Sequence, residues 1–156
     1  MTMDKKVITR VEIDEDIIQV RMKNVEKNSL FVGQIFGVLA SHDINIDMIS
    51  SANLENEMQI DFTCEAKDQS KLNQAIKQIL EDHPRMEVYS SKNTGKLVVE
   101  GEDMKDESGV AARVFQILGK AQIPFYQITT SEISISLVID NKYLKKAQKE
   151  IKEEIE

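Results

Sequence analysis

Phe31-Val32-Gly33-Gln34-Ile35-Phe36-Gly37-Val38-Leu39 and Val110-Ala111-Ala112-Arg113-Val114-Phe115-Gln116-Ile117-Leu118 are the two stretches on which the fold turns. Each places apolar residues at helical spacing. They stand 79 residues apart, Phe36 matching Phe115 and Leu39 matching Leu118. The same separation joins Ile18 to Leu97, Val20 to Val99, Ser29 to Ser108, Ile44 to Ile123, and Ser50-Ser51 to Thr129-Thr130. Downstream it shortens to 75, joining Met58, Ile60, Phe62 and Cys64 to Ile133, Ile135, Leu137 and Ile139. It then becomes 72, joining Leu72, Ala75 and Ile79 to Leu144, Ala147 and Ile151. A correspondence that survives two length changes marks two copies of one module. The first copy carries about four extra residues near 53–57.

Outside the helices the period changes to two. Ile18, Val20 and Met22 alternate with polar residues, as in a half-buried strand. Residues 45–51 read as a second strand. Met58, Ile60, Phe62 and Cys64 alternate with Gln59, Asp61, Thr63 and Glu65, a third strand with one buried face. Leu72, Ala75, Ile76 and Ile79 mark a second helix, stopped at His83-Pro84 because the residue before proline avoids helix. Residues 86–90 form a short fourth strand. The second module repeats this order with a strand at 96–100, a helix at 109–120, strands at 123–130 and 133–139, and a final helix at 141–154. No fourth strand follows that helix. The preceding strand at 7–13 is therefore expected to cross over and complete the second sheet.

The order β-α-β-β-α-β is the ferredoxin-like split unit. The expected fold class is α+β, with two such modules, antiparallel sheets carrying helices on one face, interleaved by the N-terminal strand. The expected bounds are a disordered start or expression remnant at 1–6, the crossing strand at 7–16, the first module at 17–92 and the second at 93–156.

Composition narrows the function classes. Apolar residues make up 41% and charged residues 30% of 156, as in a soluble globule, and the net charge is −7. A nucleic-acid binder carries a basic footprint, and an anionic membrane surface attracts the same sign, so neither is an expected partner. A single cysteine, Cys64, allows no intrachain disulfide and no cysteine-based zinc site. No apolar run reaches the roughly 18 residues of a membrane span. The start Met-Thr-Met-Asp-Lys-Lys has no apolar segment behind it, unlike a secretory signal. The expected location is the cytoplasm.

No catalytic constellation is expected. The only histidines, His42 and His83, sit at helix ends, and Cys64 falls in the apolar set of a strand. There is no glycine-rich phosphate loop, no carboxylate cluster at metal-ligand spacing, and no cofactor signature. An acylphosphatase-like enzyme would need a phosphate-cradling loop with its arginine, but Arg113 lies one turn into a helix. An RNA-binding sheet would need aromatic residues on its central strands. Those strands carry Val20, Met22, Val98 and Val99.

The informative segments are the loops entering the first helix of each module, 25–30 and 104–110. Asn28, Ser29 and Ser108 stand just before apolar helical runs, as helix caps do. Such a start is a cap alone, or also a seat for a carboxylate among the free N–H groups. Gly109, without a Cβ, permits close approach of a ligand or neighbouring backbone.

G-V-A-A-R-V-F at 109–115, T-S-E-I-S-I-S at 130–136 and I-N-I-D-M-I at 44–49 resemble the paired ACT domains of aspartokinase. The resemblance runs over about 7–155. The Lys-Phe-Gly-Gly segment that opens the family's kinase domain has no counterpart. The chain therefore looks like the regulatory C-terminal half, excised or made as a separate subunit. That half of the family binds lysine or threonine, or methionine in some members, and feeds back on phosphorylation of aspartate by the catalytic domain.

The resemblance implies effector sites between facing ACT domains. Asp47 would take the effector's α-ammonium, and Met48, Ile49, Ser50 and Ser51 would line the pocket. Asn28, Ser29 and Leu30, with Ser108 and Gly109 in the second module, would present helix-start groups. Pro124 and Phe125 would close the pocket through their backbone, and Ser131 and Glu132 match the family's Ser-Glu pair. Glu132 and Glu55 are candidate acids for a lysine ε-ammonium. The first loop departs from the family's Asp-x-Pro-Gly, reading Lys27-Asn28-Ser29-Leu30, and Tyr126 replaces the counterpart of Asp47. A homodimer through ACT sheet edges is expected. The alternative is a module that only dimerises and no longer binds an effector.

Overall fold

The structure, a computed structural model, describes residues 7–155. It divides into a continuous unit, Asp16–Lys92, and a discontinuous one made of the residues before and after it.

The strand β1 (Arg10–Asp14) comes first. The continuous unit then runs β2 (Ile17–Val25), α1 (Ser29–Ser41), β3 (Asp47–Asn53), β4 (Met58–Glu65), α2 (Gln69–Asp82) and β5 (Glu87–Ser91). Its antiparallel sheet has the order β3-β4-β2-β5. The alternation seen in the sequence fixes the register: Ile18, Val20 and Met22 face Cys64, Phe62 and Ile60 across the ladder. All six are buried with Ile35 and Leu39 of α1 and Leu72, Ala75 and Ile79 of α2.

The chain continues through β6 (Thr94–Glu100), α3 (Val110–Lys120), β7 (Gln127–Thr130), β8 (Ser134–Asp140) and α4 (Leu144–Ile155). The sheet order here is β1-β6-β8-β7, so the N-terminal strand does complete the second module. β1 pairs antiparallel with β6, from Arg10 against Glu100 to Asp14 against Lys96. The fold is α+β, two ferredoxin-like modules interleaved by that strand. Gly101 makes the crossing possible, since a Cβ there would overlap the carbonyl of Val7. Val7 and Ile8 are buried in the second core just before β1 begins.

Several expected elements differ in extent. The expected strand at 123–130 shrinks to β7. Gln122 takes a left-handed φ of 58°, and the N–H of Ile123 bonds to Leu118 O at 2.9 Å, which closes the end of α3. Pro124 then has no N–H to give a ladder. The final helix begins with a short 3-10 turn, Asn141–Tyr143, before α4. The crossing strand starts at Arg10, not at 7. The expectation for 1–6 lies outside the described residues.

Candidate effector site

The start of α1 is built by Asn28. Its backbone is extended, and its Oδ1 accepts hydrogen bonds from the N–H groups of Leu30 (2.9 Å) and Phe31 (3.3 Å). That satisfies two of the four N–H groups that any helix leaves open at its start. One residue earlier, Lys27 donates its ammonium to Glu55 O at 3.1 Å. This ties the loop entering α1 to the hairpin between β3 and β4.

A shallow hollow of about 620 Å³ lies at this junction. Lys27, Asn28, Ser29 and Asn53 supply its polar lining, and Val32, Phe36 and Met58 its apolar lining. Ser29, Val32, Gly33 and Phe36 share one face of α1 by their helical spacing. A Cβ on Gly33 would meet nothing within 4 Å, so the glycine leaves open space.

The residues expected along β3 stand elsewhere. Asp47 faces Thr63 and Ser50 faces Asp61, so one extra residue is inserted on β3. The insertion is a bulge. Met48 takes a positive φ of 49° and is buried, while Ile49 is 56% exposed. Asp47 and Ser51 are exposed and Ser50 is half-buried. None of the five lines the hollow, and Leu30, 71% exposed, does not either. Of the expected first-module residues, the structure brings Asn28 and Ser29 together there.

Lys27, Phe36, Asn53 and Met58 were not among the expected site residues. The signal for Phe36 was its position seven residues after Ser29, on the same helix face. For Asn53 and Met58 it was the offset change that marks the hairpin.

The second module is built differently. Ser108 was expected as a cap, but the position before α3 is Gly109, in the left-handed region at φ 90° with no side-chain cap. Only glycine takes that conformation without strain. Ser108 and Gly109 border a groove of about 680 Å³ along α3 and α4, with Arg113, Gln116, Lys146 and Glu150. Pro124 and Phe125 lie outside it. Phe125 packs on Phe115, ring centres 5.4 Å apart. The hydroxyl of Tyr126 donates to Asp140, which raises its pKa above that of an ordinary tyrosine. Ser131 and Glu132 form the turn between β7 and β8. Ser131 N–H bonds Ser134 O at 3.0 Å, its Oγ lies 2.8 Å from Ser134 Oγ, and Glu132 is exposed.

Cys64 is buried, and burial pushes its thiol up to about 11, far from a reactive thiolate. His42 bonds Gln78 at 3.0 Å on the surface. Among the described residues no group of three or more His, Cys, Asp or Glu is arranged to hold a metal. Among the described residues no helix is long and apolar enough to cross a membrane.

The ACT domain family matches residues 97–155. Across both modules the chain is 33% identical over 142 residues to the aspartokinase of Helicobacter pylori, a match that takes in 90% of this chain and 35% of that protein. The chain is a tandem ACT regulatory region of the aspartokinase type. Solved structures agree with this ACT region in fold. The ligand-free regulatory subunit of aspartate kinase from Thermus thermophilus superposes with a TM-score of 0.89, at 23% identity, over 97% of this chain and all of that one. A chain from a structure of aspartokinase alpha and beta subunits gives 0.83 at 25% identity, over 92% and 95%. The ACT region spans about a third of the length of the curated relatives it matches.

Proposed function

We propose that this ACT region senses an amino acid, lysine or threonine, that is an end product of the pathway opened by aspartate phosphorylation. The effector feeds back on an aspartokinase catalytic domain. The observation that carries the reading is the likeness to an aspartokinase over nine-tenths of the chain. The hollow at the start of α1 supports it, because it offers a cation, a helix start and an apolar floor in one place. Regulation follows from population shift: an effector that binds one arrangement of the modules more tightly favours the kinase state coupled to it, and the coupling is reciprocal.

A homodimer through exposed sheet edges, in the cytoplasm, belongs to the same proposal. A second reading is favoured by Leu30, bare and bulky at the helix start: a region that only dimerises. The expected sites at Asp47–Ser51 and at Ser108 and Gly109 remain part of the first reading as surfaces that a second copy would complete.

The test is a thermal-shift titration of the chain against lysine, threonine and methionine, singly and in pairs. A ligand at 100 times its Kd adds about 2.7 kcal/mol of stability. A saturable rise in Tm with one of them supports the sensor. A well-folded dimer that shifts with none supports the dimerisation reading.

A further inference from the structure

Two passages of chain join the modules, and both are short. β1 ends at Asp14 and β2 begins at Ile17, leaving Glu15 and Asp16 between them. β5 ends at Ser91 and β6 begins at Thr94, leaving Lys92 and Asn93. Each passage is also anchored. The carbonyl of Asp16 accepts the N–H of Ala66 at 2.8 Å, where the 3-10 turn before α2 opens. The carbonyl of Asn93 accepts the N–H of Asn141 at 3.0 Å, where the turn before α4 opens. A single residue, Glu15 in one passage and Lys92 in the other, therefore lies between an anchored carbonyl of one module and the last strand residue of the other.

Inside each sheet the ends of these passages are neighbours. In the second module Asp14 stands opposite Lys96 on the β1–β6 ladder. In the first module Gln19 stands opposite Ser91 on the β2–β5 ladder. The first module, once folded, thus holds together the two chain ends that lead to β1 and β6. With that module unfolded, β1 meets β6 only by closing a loop of 79 residues, 15–93. With it folded, the path through the Gln19–Ser91 pair is eight residues long, 15–19 and 91–93. The entropy of loop closure grows as 3/2 of the logarithm of loop length, so this shortening of about tenfold favours the pairing of β1 with β6 by roughly thirtyfold.

From this connectivity we infer that the first module is the clasp of the second. Its folding raises the folding equilibrium constant of the second module by roughly thirtyfold. The second module returns the same factor, because a coupling between two equilibria is reciprocal. In the chain-entropy account a disulfide acts in the same way, by restricting the unfolded chain. Whatever holds one module folded, a bound molecule or a partner, also suppresses opening of the other.

The experiment is native-state amide hydrogen exchange on the whole chain, followed by NMR. It is read at fully buried strand positions, Val20 and Phe62 in the first module and Leu97 and Leu137 in the second. Flexible Gly-Ser segments of about 8 and about 24 residues are inserted between Glu15 and Asp16. A second pair of variants carries the same segments between Lys92 and Asn93. All four flanking residues are exposed, and either pair suffices if the other does not fold. The insertions lengthen the path to about 16 and about 32 residues, so opening constants should rise about threefold and about eightfold. The rise should be the same in both modules and for either passage.

Exchange that changes at neither length would overturn the inference. So would a rise of equal size at both lengths, which reports damage to a strand end and not loop length. A rise confined to the second module would overturn it as well, since reciprocity forbids that.

Discussion

Asn28 shows what one side chain contributes to the site. It holds two N–H groups at the start of α1. Replacing it with alanine is expected to destabilise the chain by about 1 kcal/mol, read as a lower urea midpoint at unchanged slope. Asn28→Asp should retain most of the stability, because its carboxylate can accept the same bonds. This cap was legible in the sequence, since Asn28 precedes an apolar helical run. Its counterpart at Ser108 was not. The loop before α3 turns through a left-handed Gly109, so the residue that reads as a cap sits one position outside the helix start. Met48 was illegible for a related reason. A positive φ is uncommon for a residue other than glycine, and nothing in Asp47-Met48-Ile49 signals the bulge that buries Met48 and turns Ile49 outward. The site residues expected on β3 therefore missed the hollow, while Asn28 and Ser29 met it.

Among the elements, the succession of strands and helices was legible and several ends were not. The period-two patterns gave β2, β4, β6 and β8, and the missing fourth strand of the second module pointed to β1. The extra length assigned to the strand at 123–130 came from reading the buried Ile123 as a strand residue. It is buried because it closes the end of α3, which no periodicity records. The placement of β1 leads to a prediction at Gly101. A methyl group there would overlap the Val7 backbone, which a rotamer change cannot relieve. Gly101→Ala is expected to cost roughly 1–3 kcal/mol. It should also speed hydrogen exchange at the β1 amides relative to those of β4. Equal protection in both strands would show that the crossing strand does not depend on this approach.

The molecule as a whole is assembled from one uninterrupted segment and one that is split. Asp16–Lys92 contains all four strands and both helices of its sheet. Expressed alone, that segment is expected to fold cooperatively. Residues 93–156 alone lack β1 and leave the β6 edge open, and an open edge invites aggregation. Adding a peptide of residues 7–15 in trans should restore a monodisperse, protected second sheet. Size exclusion and amide exchange with and without the peptide check this. Folding of 93–156 without it would show that the strand adds little to the unit.

The split also sets an order in time. During synthesis β1 leaves the ribosome about 80 residues before its partner β6 is complete, a delay of about 4–16 seconds at ordinary elongation rates. Throughout that interval Asp16–Lys92 can finish folding while Val7, Ile8 and Val11 have no core to enter. The nascent chain thus carries an unclaimed apolar strand ahead of a folded domain, a natural landing place for a chaperone. The residues made after Lys92, with β6 first among them, are the ones that release it.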